Sequence, residues 1–209
     1  MECGESVRSN GGSSRKTLYL TVAILFLITT NVMGADFLYH SDGPYSGKVV
    51  DLETGEPIEG AVVAATWSLT HRFCDAKETV TDKNGKFILP KGSCFSFWPF
   101  TEIDPARVVV FKPGLLGYPP LGASPEERRA RMPGFTGHEF QNKEDYNIVK
   151  LGKPNTLLER QLTFDHAGGL FTFDEAFEKL PVLMKLINQE GKDLGLQGEI
   201  GPSKNRGRK

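Results

Sequence analysis

Apolar and polar positions alternate with a period of two along residues 61–69. Ala61, Val63, Ala65, Trp67 and Leu69 fall on one side, and Val62, Ala64, Thr66 and Ser68 on the other. Small residues on both sides, with one Trp, predict a strand pressed closely against a second sheet. Residues 45–52 form another short β-branched run, closed by Glu53-Thr54-Gly55-Glu56, where the Gly suits a tight turn. Pro57 has no N–H and suits the lead-in to a strand. Asp82-Lys83-Asn84-Gly85 predicts a turn that joins residues 78–81 to residues 86–89 as a hairpin. Residues 108–111 and 147–151 supply later strands. Toward the C-terminus the period lengthens. Phe173, Ala176, Phe177, Leu180, Leu183, Met184 and Ile187 recur at helical spacing, opposite Asp174, Glu175, Glu178 and Lys185. This helix begins at Thr172 or Phe173 and ends at Gly191, and Pro181 divides or kinks it. It packs against the strands or an upstream loop, or else serves a partner. No internal repeat is visible.

The N-terminus reads as an export signal. Residues 1–16 are polar, with Arg8, Arg15 and Lys16 just ahead of an 11-residue apolar core at 18–28, followed more weakly by residues 29–35. Val32-Met33-Gly34 suits cleavage after Gly34. Residues 18–35 also lack charge, which suits an uncleaved membrane anchor. Both readings carry the rest of the chain to the periplasm or cell envelope, and membrane contact is expected only through residues 18–35 if they are retained. Cys3 precedes the apolar run and has no lipoprotein context.

Several of these segments together resemble the carboxypeptidase regulatory-like domain, a transthyretin-like (prealbumin-type) β-sandwich. They are Gly47-Lys48-Val49-Val50-Asp51, then Thr54-Gly55-Glu56-Pro57-Ile58-Glu59-Gly60-Ala61, then Thr81-Asp82-Lys83-Asn84-Gly85-Lys86-Phe87. The match covers about a quarter of the chain. The resemblance implies a Greek-key sandwich of about seven strands. It also implies a non-catalytic accessory role, attached to a zinc peptidase in some members and standing alone in exported proteins in others. It brings no active-site residues. The expected organisation is a signal or anchor at 1–35, a sandwich at 43–152 with a long loop at 112–144, a helical extension at 153–192 and a disordered basic tail at 193–209.

Export gives the cysteines meaning. Cys74 and Cys94 are the thiols of the exported part, and an oxidising compartment favours a disulfide between them. Closing that loop contributes about 3 kcal/mol in the chain-entropy picture. Two free buried thiols are one alternative and a zinc site is the other. Zinc would draw on His71, Cys74, Cys94 and His138, but Cys94 has no close partner and a zinc site wants a second close pair. His40 is expected to be exposed, and His166, beside Gly168-Gly169, to lie in a loop.

The sequence carries no enzyme motif. No His has Glu three residues on, and neither His-Glu-x-x-His nor Gly-x-Ser-x-Gly occurs. The transthyretin-like purine-pathway hydrolases end in Tyr-Arg-Gly-Ser, whereas this chain ends Arg206-Gly207-Arg208-Lys209. No cofactor is expected. The net charge of −1 spreads over interspersed acids and bases, which argues against a nucleic-acid surface.

Two segments keep a binding role open, with an unknown protein or glycan as partner. Cys94-Phe95-Ser96-Phe97-Trp98-Pro99-Phe100 is dense in aromatics. If exposed, Phe97, Trp98 and Phe100 form a stacking platform or docking patch; otherwise they fill an open end of the core. Residues 112–137 carry Pro113, Pro119, Pro120, Pro125 and Pro133, too long a connection for an ordinary loop. Inside it, Ser124 and Pro125 suit the start of a short helix through Arg131. The reading is a non-catalytic extracytoplasmic binding or structural module. An accessory to a peptidase or surface-processing system acting in trans is the alternative, and a metal-dependent hydrolase the third.

Overall fold

The computed structural model describes residue 19 and residues 38–97, 101, 103–120, 125–132, 140, 146–169, 174–196 and 201. The chain is mainly β. Its strands are β1 (Tyr39–Asp42), β2 (Tyr45–Asp51), β3 (Val62–Leu69), β4 (Arg72–Val80), β5 (Lys86–Leu89), β6 (Gly92–Phe95), β7 (Arg107–Phe111) and β8 (Tyr146–Leu151). The helices among the described residues are α1 (Pro125–Arg131), α2 (Leu157–Gly169), α3 (Asp174–Lys179) and α4 (Pro181–Asp193). The apolar run at 18–28 and the basic tail beyond residue 201 lie outside the described residues, apart from Tyr19. Among the described residues no helix is long and apolar enough to cross a membrane.

Three small sheets result, ordered β1-β6, β5-β2-β8 and β4-β3-β7. The two three-stranded sheets face each other across the main core. Tyr45, Val49, Phe87, Leu89, Val149 and Leu151 come from one side, and Val63, Ala65, Trp67 and Val110 from the other. Within the first sheet β2 pairs antiparallel with β5 and parallel with β8. Gly47 makes that parallel approach possible, because a Cβ there would collide with the Asn147 carbonyl oxygen and the Phe87 ring.

Strand β3 is buried along its whole length. Its alternation explains why. Ala61, Val63, Ala65, Trp67 and Leu69 face the main core, whereas Val62 and Ala64 face a second one. That second core is filled from the C-terminal helices by Phe164, Ala176, Leu180, Leu183 and Ile187. The molecule is therefore layered sheet, sheet, helix, and the middle sheet has no solvent face at β3. Pro181 starts α4, where a missing N–H costs nothing. The free N–H groups of Val182 and Leu183 donate to the two oxygens of Glu78 on β4, at 2.8 and 2.9 Å. A strand residue thus caps a helix about a hundred positions later.

Two expectations change. The Asp82–Gly85 turn does not close a hairpin. β4 pairs with β3 and β5 pairs with β2, so the turn carries the chain from one sheet to the other. Asp82 organises this crossing by accepting from the N–H groups of Asn84 and Lys86, both at 2.8 Å. The long segment 112–144 is also more than a surface connection. Tyr118 exchanges both backbone hydrogen bonds with Val110, and Tyr118, Met132 and Phe140 are buried in the main core. The Phe140 ring sits 5.5 Å from Tyr118 and 5.8 Å from Tyr45, edge to face.

Candidate functional site

One end of the molecule is built by the β1-β6 ribbon lying over the tip of β3 and β4. In the ribbon Tyr39 opposes Phe95, His40 opposes Cys94, Ser41 opposes Ser93 and Asp42 opposes Gly92. Directly opposed residues project from the same face. His40, Asp42, Cys94 and Gly92 share the inner face, with Asp42 and Gly92 against Trp67, while Tyr39 and Phe95 look out. Gly92 lies flat on the Trp67 indole, where a Cβ would overlap the ring. The indole N–H donates to Asp42 Oδ2 at 3.0 Å, and the Tyr45 hydroxyl donates to the same oxygen at 2.6 Å. Burial, with Asp42 beside it, pushes the Tyr45 phenol up from its ordinary pKa of 10.0. The phenol stays a donor.

A β-bulge on β4 sets the second wall. Trp67 pairs with Asp75 and Ser68 with Phe73, so Cys74 is the extra, unpaired residue between them. The bulge re-aims the Cys74 side chain toward the ribbon, where it is joined in a disulfide to Cys94, with Cα atoms 5.2 Å apart. Cys94 sits in β6, so the bond ties β4 to β6. Asp75, next along β4, holds the same corner. Its carboxylate accepts from Lys179 of α3 at 2.9 Å and from the Ser93 N–H of β6 at 3.3 Å, with Lys77 at 3.5 Å.

The rim is the two-residue turn between β3 and β4. Thr70 and His71 both take positive φ, 47° and 65°. Asp104 holds that turn by accepting from the Ser68 hydroxyl at 2.6 Å and the His71 N–H at 3.1 Å. These two bonds, the Ser68 hydroxyl first, hold the Asp104 carboxyl below its ordinary value.

Between ribbon, bulge and turn opens a groove of about 790 Å³. Its aromatic members are Phe73, half-buried, and Tyr39, Phe95 and Phe97, which are 52, 54 and 82% exposed. The rings of Phe95 and Phe97 meet edge to face at 4.8 Å. Ser93, Ser96 and Thr101 add hydroxyls, Arg72 a cation, and Cys74 lines the groove as well. Such a surface offers apolar contact and hydrogen bonding at once.

The expected site residues distribute as follows. Cys74 and Cys94 are joined to one another, and a disulfide is what an oxidising compartment favours. Phe97 is exposed, so it does not fill the core; Trp98 and Phe100 lie outside the described residues. The zinc set comes apart, because both its sulfurs are in the disulfide and His138 is outside the described residues. Among the described residues no three His, Cys, Asp or Glu side chains gather to hold a metal ion. His40 is half-buried and its Nε2 is enclosed, contrary to the exposed position expected of it. His166 falls within α2. Sequence reasoning missed Tyr39, Arg72 and Phe95 as groove residues. The alternation of Tyr39 with His40 and Phe95 with Cys94 was the available signal, and it spans too few positions to stand out. No family model, curated protein or solved structure matches this chain.

Proposed function

We propose that the chain is an exported, non-catalytic binding module on a carboxypeptidase regulatory-like, transthyretin-like sandwich, and that the aromatic groove receives an apolar polypeptide segment. The resemblance in residues 47–51, 54–61 and 81–87 supports the family. So does the position of those residues, which form β2, the entry to β3 and the sheet-to-sheet crossing into β5. The disulfide supports the exported location.

The observation that carries the binding role is the open aromatic surface of Tyr39, Phe95 and Phe97 beside hydroxyls and Arg72. A monomer has reason to cover three exposed rings unless a partner does so. Aromatic side chains contribute contact area at small entropic cost, which suits recognition of a polypeptide.

The test is selection of short peptides from a random-sequence library on the immobilised full chain, followed by titration of the selected peptides. Binding should weaken about tenfold or more, or roughly 1.4 kcal/mol, in a Tyr39→Ala, Phe97→Ala double variant whose melting temperature is unchanged. Equal binding by that variant would remove the groove from the argument. Retention of soluble oligosaccharides in place of peptides would change the partner class.

A further inference from the structure

The ribbon that walls the groove carries a polar atom that the fold leaves unused. Among the described residues, the buried side-chain nitrogen or oxygen lacking a hydrogen-bond partner is His40 Nε2. An unsatisfied buried donor or acceptor costs about 1–3 kcal/mol. Such groups call for an explanation, and redox or catalytic roles are among the usual ones. Its neighbour on β1, Asp42, accepts from both Tyr45 and Trp67 through Oδ2. His40 has no such structural task.

Its position supplies one. His40 stands directly opposite Cys94 and projects from the same inward face of the ribbon. Cys94 is closed off at 1% exposure, whereas its disulfide partner Cys74 is half-buried and lines the groove. The two sulfurs of the bond are therefore unequal. One can be reached from the groove, at a bulge that re-aims it. The other lies in the core on the same face as an imidazole whose nitrogen lacks a partner.

We infer that the Cys74–Cys94 bond is a thiol-exchange site, that its substrates are polypeptide segments bearing two thiols, and that His40 receives Cys94 when the bond opens. A thiolate of the substrate attacks Cys74 Sγ, and the Cys74–Cys94 bond breaks. The electron pair leaves on Cys94 Sγ, which takes a hydrogen bond or a proton from the His40 imidazole. The product is a mixed disulfide between the substrate and Cys74. The second substrate thiolate then attacks its own sulfur in that mixed disulfide and releases Cys74 as a thiolate, which is protonated from water. Two electrons have moved: the substrate dithiol is oxidised to a disulfide and the Cys74–Cys94 pair is reduced. One bond is consumed per chain. Arg72, lining the same groove, attracts the incoming thiolate, as cations do at reactive cysteines. The identity of the substrate as a polypeptide rests on the reading of the groove given above; the exchange itself does not.

The experiment separates the two. The oxidised full chain is treated with reduced glutathione without denaturant, quenched in acid and peptide-mapped. The expected adduct is on Cys74, with Cys94 free. The rate of reduction by dithiothreitol is then compared among the natural protein, His40→Phe and His40→Gln, with melting temperatures taken on the oxidised forms. His40→Phe should be slower by about tenfold or more, and His40→Gln, which keeps a hydrogen-bond donor, should recover part of the loss. A bond untouched until denaturant is added, an adduct on Cys94, or an unchanged rate in His40→Phe would each overturn the inference. If His40→Phe fails to fold, the site of the glutathione adduct in the natural protein decides alone. Peptide binding that persists while exchange fails would sink only this inference. Exchange at Cys74 without peptide binding would sink the groove's proposed partner and leave the exchange standing.

Discussion

Thr70 and His71 occupy a conformation that their side chains disfavour. Two consecutive positive φ values define the turn type that matches strand twist in a two-residue hairpin, and Asn-Gly fits it best. A β-branched Thr at φ 47° is strained. Asp104 offsets that strain from 33 residues away through the His71 N–H. Replacing the pair, Thr70→Asn with His71→Gly, should therefore stabilise the protein by about 1 kcal/mol or somewhat more, read as a higher urea midpoint at unchanged slope. A lower midpoint would mean that the two native side chains hold contacts worth more than the strain. This hairpin was illegible in the sequence for the same reason, since neither residue advertises a turn and the carboxylate that enforces it arrives from the connection ahead of β7.

At the level of elements, the legible parts are those whose neighbours in sequence are also their reasons. The alternation at 61–69 gives β3 and its two faces, and the run at helical spacing over 173–187 gives α3 and α4, with Pro181 opening the second. α2 fell within the expected helical extension but showed no clear apolar stripe, because Leu157, Leu158 and Leu162 are exposed and Phe164 alone of its large apolar residues is buried in the second core. The Glu78 cap escaped because a strand residue supplies it. The sheet-to-sheet crossing at Asp82–Gly85 resembles a hairpin locally and is distinguished only by which strands its arms find. Of the site, the disulfide and Phe97 were legible; the ribbon, the bulge and His40 depend on pairing across the chain.

Asp75 shows how one such junction responds to acid. Burial works against its charge, but the Lys179 ammonium bonded to it, then Lys77 and the Ala76 N–H, outweigh burial. They hold the carboxyl below its ordinary 3.8. The unfolded chain then binds this proton more readily than the folded one. The contribution to stability is complete above 3.8 and is lost as pH falls through the depressed folded value. Thermal melts taken downward from pH 5 should show a falling midpoint, and Asp75→Asn should flatten that acid slope while lowering the midpoint at neutral pH. An acid slope as steep in the variant as in the natural protein would assign the effect to other carboxylates.

On the scale of the whole molecule, the helical layer is part of the fold and not an appendage. Val62, Ala64, Ala76, Val109 and Phe111 form an apolar face of the middle sheet whose cover comes from α2, α3 and α4. The outer face of β5-β2-β8 differs: there Ile88, Tyr146 and Ile148 are interspersed with Lys48, Lys86 and Lys150 and stand in solvent. A chain stopped at residue 173 removes α3 and α4. It should self-associate more than the full chain and bind an apolar dye, measured by light scattering and dye fluorescence. A soluble, cooperatively melting fragment would show that the sheets suffice. The Arg160–Glu190 pair closes the same layer, its carboxylate at 2% exposure also accepting from the Gly114 N–H at 3.1 Å.

The parallel pairing of β2 with β8 has a temporal meaning. Ser46 meets Tyr146, and the residues between them must all be made before the sheet can close. At roughly 5–20 residues per second of synthesis, the first of these strands waits about five to twenty seconds for its last neighbour. During that interval one edge of β2 has no partner, and the chain behind it cannot lock into its final shape. A sheet closed across about a hundred residues of chain works as a built-in delay, holding its first strand open on one side until the segment through Leu151 has been made.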